Sequence, residues 1–176
     1  MSRIVLEIFG LLWMGFPAQA QDDKERAKEA EAKIAEFKKA IAGKKDVGDF
    51  VTAINDLGAL QHPKILTELK IWLHKPQPEL IQAAAESLAK YKKCKESKDA
   101  AKAILEVALQ QKDRDFGSKL IDLSADTECK EMAKTYCGLF KLQGKELPLA
   151  EAAIEACGKV RSKDAIQPLI DLLREL

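Results

Sequence analysis

Cysteine, histidine and a cluster of lysines are the side chains in this 176-residue chain whose types could do chemistry. Cys94, Cys129, Cys137 and Cys157 lie 35, 8 and 20 positions apart, and His62 and His74 are the two imidazoles. Structural zinc sites are built from close ligand pairs such as Cys-x-x-Cys. No such pair is present, so no metal is expected. Two histidines leave few ways to build a nucleophile–histidine pair, and both read as solvated or capping imidazoles, His62 in an inter-helix turn and His74 at a helix end. A Gly-rich phosphate loop, Gly-x-Ser-x-Gly and His-Glu-x-x-His are all missing. Carboxylates are spread beside lysines in the manner of solvated helix faces. The expectation is a protein that is not an enzyme and takes no cofactor.

One stretch concentrates charge. Lys90-Tyr91-Lys92-Lys93-Cys94-Lys95-Glu96-Ser97-Lys98 holds five lysines in a turn. Lys90, Lys92, Lys93, Lys95 and Lys98 could dock an acidic partner, a phosphate-bearing polymer or an anionic head group. They could equally be a solvated turn whose lysines complement a helix C-terminus. Over the whole chain, 29 basic residues face 28 acidic ones. That balance argues against a nucleic-acid binder, which carries a basic excess.

The elements that position these groups begin after an address. Met1 to Ala20 has a basic start at Arg3, an apolar run from Ile8 to Phe16, and small residues at Ala18 and Ala20 before the polar Gln21-Asp22-Asp23-Lys24. This is the layout of a secretory signal peptide cleaved after Ala20. Glu7 shortens the apolar run, and an uncleaved membrane anchor is the rival reading. The run falls short of the roughly 20 apolar residues of a spanning helix. The expected location is periplasmic or extracellular, with no stable membrane insertion after cleavage. Residues 21–43 follow as a charged amphipathic helix, with Ala27, Ala30, Ile34, Phe37 and Ile41 on one face and Gly43 as its stop. That stripe would either pair two chains or cap the next element.

The remainder repeats itself. Residues 53–73 and 153–173 align without a gap, matching Ala53 to Ala153, Ile54 to Ile154, Gly58 to Gly158, Leu69 to Leu169 and Leu73 to Leu173. A shift of one hundred is three periods of about 33. Two intermediate copies place Ala89 and Ser124 at the anchor position, so Gly58, Ala89, Ser124 and Gly158 are 31, 35 and 34 residues apart. Each copy reads as a helix, a tight turn and a second helix. In the middle copies the second helices are expected at about Lys98 to Gln111 and Glu128 to Leu142. Pro63, Pro78 and Pro148 suit first helical turns, and Asp46, Ser97, Thr127 and Ser162 suit N-caps. Trp72 aligns with Leu172 and reads as core. A helix pair this small buries its apolar faces only by stacking on others.

The segment Ala153-Ile154-Glu155-Ala156-Cys157-Gly158-Lys159-Val160 followed by Asp164-Ala165-Ile166-Gln167-Pro168-Leu169-Ile170-Asp171-Leu172-Leu173 resembles the HEAT repeat family, in its short phycobilisome-lyase-type form. The likeness covers 46–176, being closest in the last copy and fainter in the middle two. It implies an all-α, right-handed α-solenoid of about four helix-turn-helix repeats behind one N-terminal amphipathic helix, with second helices lining a concave face. No lyase active-site motif is matched, so that chemistry is not implied.

The repeat frame also bears on the cysteines, since four thiols in an exported chain allow three pairings. Cys94 and Cys129 each fall five residues past an anchor, in adjacent turns; Cys137 and Cys157 fall on neighbouring helices. Cys94–Cys129 and Cys137–Cys157 are therefore the expected disulfides, against buried small hydrophobes as the alternative. The function expected is a non-enzymatic protein-binding or scaffold module. Its rivals are a chaperone-like factor holding a small molecule or cofactor in the concave groove, and a structural subunit of an envelope assembly. The apolar helix Leu169 to Leu176 would support self-association. Intact-mass measurement of the exported protein should show an N-terminus at Gln21, and retention of Met1 to Ala20 would overturn the address reading.

Overall fold

The computed structural model describes residues 16–92 and 94–175, with side chains from Asp23 onward. Most of the apolar run, Lys93 and Leu176 lie outside the described residues. Within them the protein is all-helical, with nine α-helices and three short 3-10 turns and no strand. The helices are α1 (Phe16–Ile41), α2 (Val47–Leu57), α3 (Pro63–Trp72), α4 (Pro78–Ala89) and α5 (Ser97–Gln110). They continue as α6 (Arg114–Ala125), α7 (Ala133–Cys137), α8 (Leu147–Val160) and α9 (Ile166–Glu175). No helix among the described residues is long and apolar enough to cross a membrane.

The α1 helix runs unbroken through Ala20 and ends before Gly43, whose φ of 75° is the left-handed geometry glycine adopts without penalty. Its apolar stripe turns inward: Ala30 and Phe37 are buried and Ile34 and Ile41 half-buried, against α2 and α3. Trp72 seals this corner. Its ring meets Phe37 edge-on at 5.5 Å and Phe50 at 5.7 Å, and the Lys75 ammonium stands 5.3 Å above it.

Local signals set most helix starts. Asp46 accepts from the Gly48 N–H at 2.7 Å, and Asp113 accepts from the N–H groups of Asp115 and Phe116. Ser162 accepts from the Asp164 N–H at 3.3 Å, and Pro63 and Pro78 open α3 and α4. Ser97 and Thr127 depart from the expected N-cap role. The Ser97 hydroxyl donates backward to the Cys94 carbonyl at 2.8 Å, and that of Thr127 to the Ser124 carbonyl at 2.8 Å. Both are buried and tie turns to the preceding chain instead.

The expected helix from Glu128 to Leu142 is also corrected. Glu128 turns into the left-handed region, Lys130–Met132 forms a 3-10 turn, and α7 spans five residues before Gly138. Tyr136 ties the short helix inward. Its hydroxyl lies 2.7 Å from the Ser124 Oγ, which donates to the Ala101 carbonyl at 2.8 Å, so α7 is drawn onto α5 and α6.

Packing runs from α2 to α4, α4 to α6 and α6 to α8, while α3, α5 and α7 each lie against the helix that follows. Anchors Gly58, Ala89, Ser124 and Gly158 fall at or near the ends of α2, α4, α6 and α8. Gly58 is glycine for space, not for φ, which is −71°. A Cβ there would stand 2.3 Å from the Cβ of Ser87 on α4. Gly158 meets nothing within 4 Å, because it is exposed in the wall of a surface cavity. Gly58→Ala should therefore cost about 1–3 kcal/mol of unfolding free energy. In urea titrations Ser87→Gly should recover part of that loss, giving a double variant more stable than the two single effects predict. A neutral Gly58→Ala would refute the close-approach account.

Candidate functional site

A cavity of about 1260 Å³ opens where the α4–α5 turn, the α6–α7 turn and the end of α8 converge. Buried groups on the inner side of these turns hold it in place. Tyr91 is fully buried. Its hydroxyl donates to the His62 carbonyl at 3.1 Å and accepts from the His62 N–H at 3.2 Å, pinning the α4–α5 turn to the α2–α3 turn. Burial pushes its phenol pKa up to about 12, so it stays a neutral donor at physiological pH. His62 itself caps α3, its Nδ1 accepting from the Lys64 N–H at 3.2 Å, while His74 is exposed. Neither histidine lines the cavity.

Of the five lysines singled out in the sequence, Lys92, Lys95 and Lys98 line the cavity. Lys90 does not, though its carbonyl accepts from the Gln61 amide at 2.6 Å. Lys93 lies outside the described residues. The sequence reading missed Lys130, Lys159 and Arg161, which complete the basic lining. A signal for them existed. Lys95 and Lys130 both stand six residues past an anchor, and Lys92 and Arg161 three past.

Carboxylates are interleaved with these cations. Lys92 faces Glu128 at 3.7 Å. Lys159 bridges Asp122 at 3.0 Å and Asp126 at 3.1 Å. Burial works against the Lys159 charge, but the two carboxylates outweigh it and raise its pKa above the usual lysine value. Glu131 accepts from the Cys129 thiol at 3.1 Å.

Backbone strain gathers in the same place. Glu128 at φ 55° and Arg161 at φ 49° are the two non-glycine residues with positive φ among the described residues, and both line this cavity. The left-handed region costs an ordinary L-residue on the order of 1 kcal/mol, and such outliers cluster at functional sites.

No disulfide joins any two of the four cysteines in this structure. The expected Cys94–Cys129 bond is not shown. Both side chains sit in the cavity wall, with Cys129 turned onto Glu131, and burial raises the pKa of each. Raised pKa values leave little thiolate for nucleophilic attack. Cys137 and Cys157 do meet, with sulfurs 3.6 Å apart. No cluster of three or more potential metal ligands occurs among the described residues. Away from the cavity, α9 leaves Ile166, Ile170 and Leu173 exposed at 56%, 38% and 70%.

Comparison with known proteins bears on the last two helices. Residues 149–175 match the family of PBS lyase HEAT-like repeats, and this segment spans α8 and α9. No curated protein and no solved structure matches the chain.

Proposed function

We propose that this chain is an exported, non-enzymatic binding module, a right-handed α-solenoid of about four HEAT-like units whose turn edge holds an acidic segment of a partner protein. The single observation that carries the reading is the convergence, on one groove, of basic side chains from matched positions in successive turns. The HEAT-like match at residues 149–175 and the α2–α4–α6–α8 stacking support the solenoid form. The interleaved carboxylates favour a peptide over a nucleic acid or other phosphate polymer. A run of phosphates would meet Asp126, Glu128, Glu131 and Glu155 along with the lysines, whereas a peptide can offer both signs. A small-molecule ligand fits less well, since the lining includes no aromatic side chain for an apolar body to rest on.

Two variants separate binding from folding. Lys95→Glu with Lys98→Glu reverses exposed charge, and Arg161→Gly removes both the guanidinium and the left-handed strain. Arg161→Gly should raise unfolding free energy by about 1 kcal/mol. In parallel affinity captures from cell envelope, both variants should lose at least about tenfold of a protein that the unaltered chain retains and salt releases. Equal retention by all three, or release by detergent but not by salt, would overturn the reading.

The uncovered apolar face of α9 favours a second role, self-association through that helix in a larger assembly. Light scattering should then show a dimer or larger species that Ile170→Glu with Leu173→Glu reduces to monomer. A monomer at every concentration tested would exclude it.

A further inference from the structure

We infer that Cys137 and Cys157 form a single intramolecular disulfide that staples α7 to α8. The two sulfurs are in contact at 3.6 Å, on helices that pack against each other. Small side-chain rotations bring such a pair to the roughly 2 Å of an S–S bond. Cys94 and Cys129 line the turn groove, whereas Cys137 and Cys157 do not.

Accessibility orders the two steps. Cys137 is half-exposed at the end of α7, whereas Cys157 is buried within α8. The Cys157 thiol also points at the Ala133 carbonyl, 3.8 Å away. Burial raises its pKa to about 12, so it is a poor first nucleophile. The Cys137 thiolate attacks one sulfur of an external disulfide, glutathione disulfide or that of a thiol oxidoreductase, and the other reagent sulfur leaves as a thiolate that takes up a proton. Cys157 then gives up its proton and attacks the Cys137 sulfur in the mixed disulfide, and the second reagent thiol departs. Two protein thiols are oxidised by two electrons, and one reagent disulfide is reduced to two thiols.

The location gives the bond a structural task. The α7 helix has five residues, the shortest of the nine, and ends at Gly138. Lys130 and Glu131 of the groove lie just before it, and Lys159 and Arg161 just after Cys157. A bond here fixes two of the three segments that shape the groove. The inference is independent of what the groove binds.

The test uses the full chain equilibrated with oxidised glutathione, then alkylated and peptide-mapped by mass. The expected result is one cross-link joining the peptides of Cys137 and Cys157, with Cys94 and Cys129 alkylated. The thermal midpoint should rise by several degrees over the reduced protein, and Cys94→Ala with Cys129→Ala should leave both results unchanged. Alkylation of all four thiols, a link through Cys94 or Cys129, a link between two chains, or glutathione left unresolved on Cys137 would each overturn it. These readouts come from the unaltered sequence and do not depend on whether Cys137→Ser folds.

Discussion

The close approach of neighbouring helices sets the terms for everything else in this protein. Where α2 meets α4, Gly58 leaves room for Ser87, whose hydroxyl points at the Ile54 carbonyl 3.4 Å away. Where α5, α6 and α8 meet, Gly117 stands where a Cβ would be 2.9 Å from both the Ala108 carbonyl and the Leu149 side chain. Much of the buried core elsewhere is alanine, with Ala84, Ala85, Ala101, Ala108, Ala153 and Ala156 fully enclosed. Small residues bring backbones near enough for side chains of one helix to reach carbonyls of the next. They also leave little slack, since a tightly packed interior absorbs an added methyl poorly.

That proximity is what makes the buried polar groups workable. Ser124 reaches the Ala101 carbonyl and the Tyr136 hydroxyl, Ser118 reaches the Pro148 carbonyl at 2.8 Å, and Tyr91 closes a two-way contact with His62. An unpaired buried hydroxyl or backbone group costs about 1–3 kcal/mol, so these links specify which helix sits beside which as well as holding them. Tyr91 with His62, Ser118 with Pro148 and Ser87 with Ile54 each join residues 29 to 33 positions apart, close to the repeat length. The repeat in the sequence is thus a repeat of cross-links, not of apolar pattern alone.

Most of the helical plan was legible because its signals are local. Asp46, Ser162, Pro63 and Pro78 act through neighbouring backbone, and the inward stripe of α1 follows from spacing alone. The segment from Glu128 to Leu142 was misread because Met132, Tyr136, Leu139 and Phe140 keep a helical rhythm whether or not the helix continues. The helix stops at Gly138, and Tyr136 within it is held by Ser124 of α6. Ser97 and Thr127 were misread for a related reason. Buried hydroxyls bond to the carbonyl behind them, where an exposed N-cap would serve the N–H groups ahead. The groove was half legible: its lysine-rich turn is conspicuous in the sequence, but Lys130 and Arg161 join it through stacking that brings matched turn positions together.

Each of these turns therefore has two sides with different duties. The inner side carries Tyr91, Ser97 and Thr127, all buried with their hydroxyls donating to backbone carbonyls. The outer side carries Lys92, Lys95, Lys130 and Arg161, all exposed. Exposed ion pairs such as Lys92 with Glu128 stabilise a fold by only about 0–1 kcal/mol. The left-handed backbone at Glu128 and Arg161 costs a comparable amount, so stability alone gives no reason to place charged residues where glycine would sit without strain. The outer charges are free to be set by what they face, and the inner contacts keep them in register while that happens.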